Sequence, residues 1–219
     1  MDLAYYESPP GIQLLHCLEF PATVKGGEST FYDTFVLAEL LREREPEAFA
    51  TLVRVCATFQ KSHAERDHPA QMFYQRPHIV TNTGCPAGTV IAVFWSPPFE
   101  GPLCVPPEDV AAYYAAYDAF AALTKDEAVM SQHMVSLRLE PGDTVTFNQR
   151  RLLHVRGTII VHPSCARVHW GTKRVHADHP CAVYLARREG NSSSSWAGRV
   201  GICKAAISTS MISFQRTGP

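Results

Sequence analysis

No apolar run in this sequence reaches the eighteen or so residues of a membrane span, so no membrane partner is expected. Charge of one sign is also lacking. Twenty Lys and Arg against 21 Asp and Glu leave a formal net charge of −1, which gives no reason to expect nucleic acid as a partner. The start of the chain has no basic stretch followed by an apolar one, and Asp2 and Glu7 come too early for an Arg-rich, acid-poor transit peptide. Neither kind of leader is expected here. The seven cysteines (Cys17, Cys56, Cys85, Cys104, Cys165, Cys181, Cys203) are odd in number and form no Cys-x-x-Cys pair. That argues against a disulfide framework and for a reducing compartment, the cytoplasm by default. Internal repeats are absent as well.

What is present describes a globular protein. The 219 residues are 46% hydrophobic and 19% charged, enough to bury one core, with or without a tail. The apolar run Ile12 to Phe20 after Pro9-Pro10-Gly11 reads as a strand, Lys25-Gly26-Gly27-Glu28 as a turn, and Ser29 to Asp33 as β-prone. Helices are expected over Phe35–Arg44 and Pro46–Cys56, with Pro46 at a first helical position. Residues 58–89 suggest short strands and loops. Thr89–Trp95 reads as a strand, Pro107–Leu123 as a helix, and Val135–Leu139 and Thr144–Phe147 as strands around a Pro141-Gly142-Asp143 turn. Beyond about residue 158 no amphipathic period remains, and Asn191 to Ser195 reads as a linker. The expected layout is a domain over 1–158 and a divergent, poorly ordered tail over 159–219.

Two distant stretches carry the chemistry. Non-haem Fe(II) oxygenases hold iron with two histidines and one carboxylate on one face, leaving positions open for other ligands. The first histidine and the carboxylate usually come as His-x-Asp, because alternate residues near a strand end can face one ion; the distal histidine comes from a remote strand. Asp2 has the carboxylate place and His154 the distal one. Taken alone, His154 would more often be a structural histidine, and Asp2 a solvated terminal carboxylate.

Their flanks reverse those odds. Asp2 through Cys17, Gly26-Gly27-Glu28-Ser29, Val93-Phe94-Trp95-Ser96-Pro97-Pro98-Phe99, Leu139-Glu140-Pro141-Gly142-Asp143 and Asn148-Gln149-Arg150-Arg151-Leu152-Leu153-His154 stand in the right order over residues 2–156. Together they resemble the gamma-butyrobetaine dioxygenase group of the taurine-dioxygenase-like TauD/TfdA family. The resemblance implies a mainly β fold with helices around a double-stranded β-helix (jelly-roll) core, here incomplete. It implies Fe(II) and 2-oxoglutarate, with ascorbate to keep the iron reduced, and hydroxylation of gamma-butyrobetaine to L-carnitine. The substrate would be a small trimethylammonium amino acid. A trimethyllysine dioxygenase-like hydroxylase remains an alternative. A homodimer is left open, as is a mitochondrial location for a longer protein.

Residue by residue, the resemblance makes Asp2 and His154 metal ligands. It makes Arg167 the partner of the far 2-oxoglutarate carboxylate, a bidentate task suited to guanidinium. Ser29 and Leu15 would line the cosubstrate pocket, and Trp95 and Ser96 the substrate side. Arg167 reads equally well as a surface charge, and His16 as a core histidine bonded to backbone. The first iron histidine is missing, since Met1 holds the x of His-x-Asp; its thioether is too soft to substitute. The family's N-terminal domain, which supplies part of a cation–π cage, is missing too. The expectation is a chain truncated at an internal methionine and doubtful as a catalyst, which leaves a silent fragment acting as a binding or dimerisation module as the contrasting reading. Cys165, His169, His176, His179 and Cys181 match no usual zinc spacing.

Overall fold

The computed structural model describes residues 1–20, 24–65, 67–84, 86, 88–160, 200–201 and 212–216. In chain order the described elements are β1 (Ile12–His16), β2 (Lys25–Gly26), β3 (Ser29–Asp33), α1 (Thr34–Arg44), α2 (Pro46–Arg54), β4 (Cys56–His63), β5 (Ala70–Pro77), β6 (Ile79–Thr81) and β7 (Val90–Val93). A 3-10 turn at Pro97–Phe99 leads to α3 (Pro107–Leu123), α4 (Glu127–His133), β8 (Met134–Leu137), β9 (Asp143–Asn148), β10 (Leu152–Arg156), β11 (Ile159–Ile160), β12 (Val200–Gly201) and β13 (Ile212–Arg216). Sheet orders are β1-β9-β13-β12, β10-β3-β8, β11-β2, β4-β5 and β6-β7. The expectation of mostly sheet with helices holds at that level. Within 159–219 the described residues are strands β11, β12 and β13. The expected disorder of the remainder, the linker at Asn191–Ser195 and the cysteine and histidine cluster all lie outside the described residues.

The chain divides into two compact units. The first comprises Met1–Ile12, Tyr32–Met134 and Asn148–Leu153; the second comprises Gln13–Phe31, Val135–Phe147 and His154–Pro219. In the first, Pro107 opens α3 where its missing N–H costs nothing, and Glu108 and Asp109 face the positive end of the helix dipole. The buried face of α3 is Tyr113, Ala116, Phe120 and Leu123, a three-four-three spacing that makes one stripe. Ala116, Phe120 and Leu123 pack with Leu37, Leu41, Leu52, Ile79 and Val93 in one core, and Tyr113 with Phe59, Ala92 and Phe94 in a second. Burying each such side chain contributes about 1.5–3 kcal/mol.

Residues 58–89 are more regular than their sequence suggests. β4 and β5 are an eight-on-eight antiparallel pair running from Cys56 opposite Pro77 to His63 opposite Ala70. Their outer residues alternate between exposed and half-buried, so no clean apolar alternation marks them. Helix α4 was likewise not anticipated; it is capped by Asp126, whose carboxylate accepts from the N–H groups of Ala128 and Val129.

His78 is fully buried in the first unit. Its Nδ1 lies 2.7 Å from the Phe94 carbonyl and its Nε2 lies 2.9 Å from the Tyr113 hydroxyl. A carbonyl only accepts, so Nδ1 carries the hydrogen and Nε2 accepts from Tyr113. Burial pushes the imidazole down to about 4, against the opposing pull of the Phe94 carbonyl. The unfolded chain therefore takes up this proton first as pH falls. Stability contributed by neutral His78 is complete above pH 6.5 and is lost between there and about pH 4. The loss expected is roughly 3 kcal/mol. Urea unfolding at neutral pH and at mildly acidic pH measures it, and His78→Gln should flatten that part of the profile; an unchanged slope would remove His78 as its source.

Candidate functional site

Asp2 stands in the opening turn of the first unit and is half-buried. The turn is bound on both sides. The Met1 ammonium donates to the Trp95 carbonyl at 3.1 Å, and the Ser96 hydroxyl donates to the Met1 carbonyl at 2.7 Å. Two residues assigned to the substrate side thus hold the residue next to the candidate carboxylate. Ser96 is itself buried, and its hydroxyl hydrogen is committed to that carbonyl. Leu3, the next residue, has φ 62°. Left-handed backbone costs a leucine about 1–2 kcal/mol, and such strain collects where a neighbouring side chain must be aimed.

Further along, Arg76 fixes the same segment. Its guanidinium donates to the carbonyls of Tyr6 and Glu7 and lies over the rings of Tyr74 and Phe94, 4.5 and 4.4 Å from their centroids. Desolvation lowers its pKa from the ordinary arginine value, and the charge is retained. Hydrogen bonds to a charged group contribute about 1.5–3 kcal/mol each. Arg76→Met keeps the stem's packing and removes both bonds, so faster amide hydrogen exchange is expected at residues 2–7, with the β4–β5 pair left protected. Equal deprotection of both regions would show instead that Arg76 supports the whole unit.

The turn before His154 is the second structural centre. Asn148 closes it, its carbonyl accepting from the Arg151 N–H at 3.2 Å and its side-chain oxygen from the Arg150 N–H at 2.9 Å. Gln149 then donates from its side chain to the Pro10 carbonyl at 2.6 Å and from its backbone to the Gly11 carbonyl at 3.1 Å. The Arg150 guanidinium donates to the Pro9 carbonyl at 2.8 Å, while the Arg150 carbonyl accepts from the Val93 N–H at 2.8 Å. Arg151 grips the start of α1: its carbonyl accepts from the Thr34 N–H and hydroxyl, and its guanidinium makes a bidentate pair with Asp33 at 2.7–3.0 Å. Asp33 also caps α1 through the Phe35 N–H at 3.0 Å. One four-residue turn therefore ties together the segment after Asp2, the strand leading to Trp95 and the first helix.

His154 lies on β10 in the second unit, its ring stacked on Phe31 at 5.0 Å and 25° and tilted against Phe147 at 5.9 Å. Phe31 and Phe147 are buried, and so, each by its own exposure, are Leu15 and Ser29, the two candidates for the cosubstrate pocket. Ser29 follows Gly26-Gly27, and both glycines have φ 76°, a conformation that other residues reach only with strain. The turn they make is held by Gly27 N–H to the Thr158 carbonyl at 3.0 Å and Gly157 N–H to the Glu28 carbonyl at 2.9 Å. His16 bonds the Thr144 hydroxyl at 2.8 Å, a side-chain partner rather than the backbone one expected.

Arg167 lies outside the described residues. Among the described residues no three His, Cys, Asp or Glu side chains stand together as a metal-binding group. Asp33, Arg76, Gln149, Arg150 and Arg151 did not stand out in the sequence as site supports. The available signals were the Asp directly before a helix start, and the run of two arginines that leads into the distal histidine.

The model of the taurine catabolism dioxygenase TauD, TfdA family matches residues 1–172, and the chain belongs to that family. It is 33% identical over 158 residues to dioxygenase str8 of Strobilurus tenacellus, an alignment covering 71% of this chain and 33% of that protein. It is 33% identical over 156 residues to gamma-butyrobetaine dioxygenase of a Pseudomonas species, covering 71% of this chain and 37% of that protein. Trimethyllysine dioxygenase of Meyerozyma guilliermondii is 27% identical over 162 residues, with the same two coverages. The chain thus spans about a third of the length of these relatives.

Proposed function

We propose that this chain is part of an Fe(II)- and 2-oxoglutarate-dependent dioxygenase with a double-stranded β-helix core, acting on a trimethylammonium amino acid. Gamma-butyrobetaine is the assigned substrate and L-carnitine the product. The observation that carries this reading is the turn at 148–151, which holds the flank of Asp2 and the strand before Trp95 just ahead of His154. Identity to a gamma-butyrobetaine dioxygenase supports the substrate. The lower identity to a trimethyllysine dioxygenase keeps that amino acid as the alternative.

The donor set fits the metal only in part. Asp2 and His154 offer a carboxylate and an imidazole of the right kinds, but a facial triad needs a second histidine. Bound iron and 2-oxoglutarate would supply the dioxygen chemistry. The chain's own residues orient: Arg76, Gln149, Arg150 and the Asp33–Arg151 pair fix the backbone around the donors, and the Trp95 strand end holds Met1. The second reading, for the chain as written, is a catalytically silent binding or dimerisation module. Succinate formation from 2-oxoglutarate, with ascorbate present, distinguishes them. None is expected from this sequence with either amino acid, and turnover above the metal-free blank would overturn the silent reading. In a full-length relative carrying these same residues, gamma-butyrobetaine should support turnover better than trimethyllysine, and the reverse order would move the assignment.

A further inference from the structure

Arg76 and Arg150 reach one short stretch of the first unit. The Arg76 Nη2 donates to the carbonyls of Tyr6 and Glu7, and the Arg150 Nη2 donates to the Pro9 carbonyl at 2.8 Å. The strand before Trp95 joins them a second time. Phe94 packs its ring against the Arg76 guanidinium, and the neighbouring Val93 N–H donates to the Arg150 carbonyl. Arg76 is 8% exposed. A guanidinium keeps its charge in such a place, and a buried charge is costly unless it is paired. Arg151 shows the ordinary solution in the same unit, a bidentate pair with Asp33. Arg76 and Arg150 have no counterpart to Asp33: among the described residues neither is ion-paired to a carboxylate.

Both also keep a donor in reserve. Nε of Arg76 and Nε of Arg150 are each buried with no hydrogen-bond partner among the described residues, an arrangement that destabilises unless a ligand accepts from it. Beside Arg150 there is room for one. Gly11 has no side chain, and the place its Cβ would take has only the Arg150 Nε within 4 Å, at 3.9 Å, its chain neighbours apart. We propose that Arg76 and Arg150 bind a small carboxylate, one oxygen on each Nε–H, and that its binding fastens the segment from Asp2 to Gly11. Two orphaned donors match the two oxygens of a carboxylate, and planar guanidinium suits planar carboxylate. A phosphate would bury further oxygens for which no orphaned donor remains. Water could accept from the same N–H groups but would leave the charge uncompensated.

The site lies in the first unit, whereas Leu15 and Ser29 lie in the second, and it does not rest on the function proposed above. Amide hydrogen exchange over residues 2–11 of the whole chain tests it, at neutral pH and at an ionic strength fixed with chloride. Acetate and gamma-butyrobetaine present the two sources of a carboxylate, a free acid and a trimethylammonium amino acid. At saturation at least one should slow exchange over 2–11 several-fold relative to chloride, and the one acting at lower concentration is the occupant. Arg150→Gln, at a half-buried position, should lose the response, and so should Arg76→Met where it folds. Arg54→Gln, at an exposed arginine paired with Asp109, should keep it. Equal exchange in chloride and both carboxylates, a full response in Arg150→Gln, or protection by inorganic phosphate alone would each overturn the proposal. Absence of succinate turnover bears only on the function proposed above.

Discussion

Asp33→Ala is expected to remove about 3–5 kcal/mol of stability from the first unit, the usual result of breaking a buried ion pair from one side. Asp33 and Arg151 are 2% and 14% exposed at their side chains, so neither charge can fall back on water. The guanidinium also lies 5.0 Å over the Phe35 ring, which fixes its plane but cannot neutralise it. Loss of the α1 cap is included in the same change and accounts for about 1 kcal/mol of it. Against an ordinary total of about 5–15 kcal/mol, that leaves the unit marginal. The exposed Arg54–Asp109 pair is as short, at 2.7 Å, yet Asp109→Ala should cost far less than Asp33→Ala because water screens it. Urea unfolding of the variants checks the contrast. The double change Asp33→Leu with Arg151→Met should recover much of the single-variant loss, since no charge is then stranded. If the double variant is as unstable as the two singles added together, the pair is not coupled and the argument from burial fails.

The same pair shows where sequence reading reached its limit. Helix α3 was legible to both ends because Pro107 fits only a first turn and its aromatic stripe repeats at helical spacing. The start of α2 was legible from Pro46. The β4–β5 hairpin was not, because Gln60, Lys61, Ser62, Gln71 and Gln75 interrupt any two-residue apolar alternation on a sheet exposed along much of its length. The candidates Asp2, His154, Trp95 and Ser96 could be proposed from local motifs. Their supports could not. The Arg151–Asp33 bond spans 118 residues and the Arg150–Pro9 bond 141, and a backbone carbonyl as acceptor leaves no mark on residue identity. His78 was hidden for a related reason: a lone histidine between Pro77 and Ile79 gives no sign that Tyr113 will meet it.

Adding one histidine directly before Met1 is expected to change metal affinity more than any substitution within the chain. The addition completes the sequence His-Met-Asp, so that imidazole and the Asp2 carboxylate sit two residues apart, the spacing that aims both at one ion. Loss of a group that merely orients a metal ligand typically costs about 10–100-fold in affinity, and a direct ligand should count for at least as much. Cobalt(II) titration followed by visible absorption is the direct measurement. It should show binding tightened by at least about 100-fold over the parent chain, with the gain abolished by Asp2→Ala or His154→Ala. The anchoring around Met1 sharpens the test. At present the Met1 ammonium donates to the Trp95 carbonyl and the Met1 carbonyl accepts from Ser96. In the extended chain the Met1 amide N–H can still donate to Trp95, so the new residue extends from a turn already held. Ser96→Ala in the extended chain should then loosen the turn and weaken cobalt binding without touching a ligand. Equal affinity for the parent and extended chains would show that Asp2 and His154 are not parts of one metal site, and the assignment of iron chemistry to these residues would fall with it.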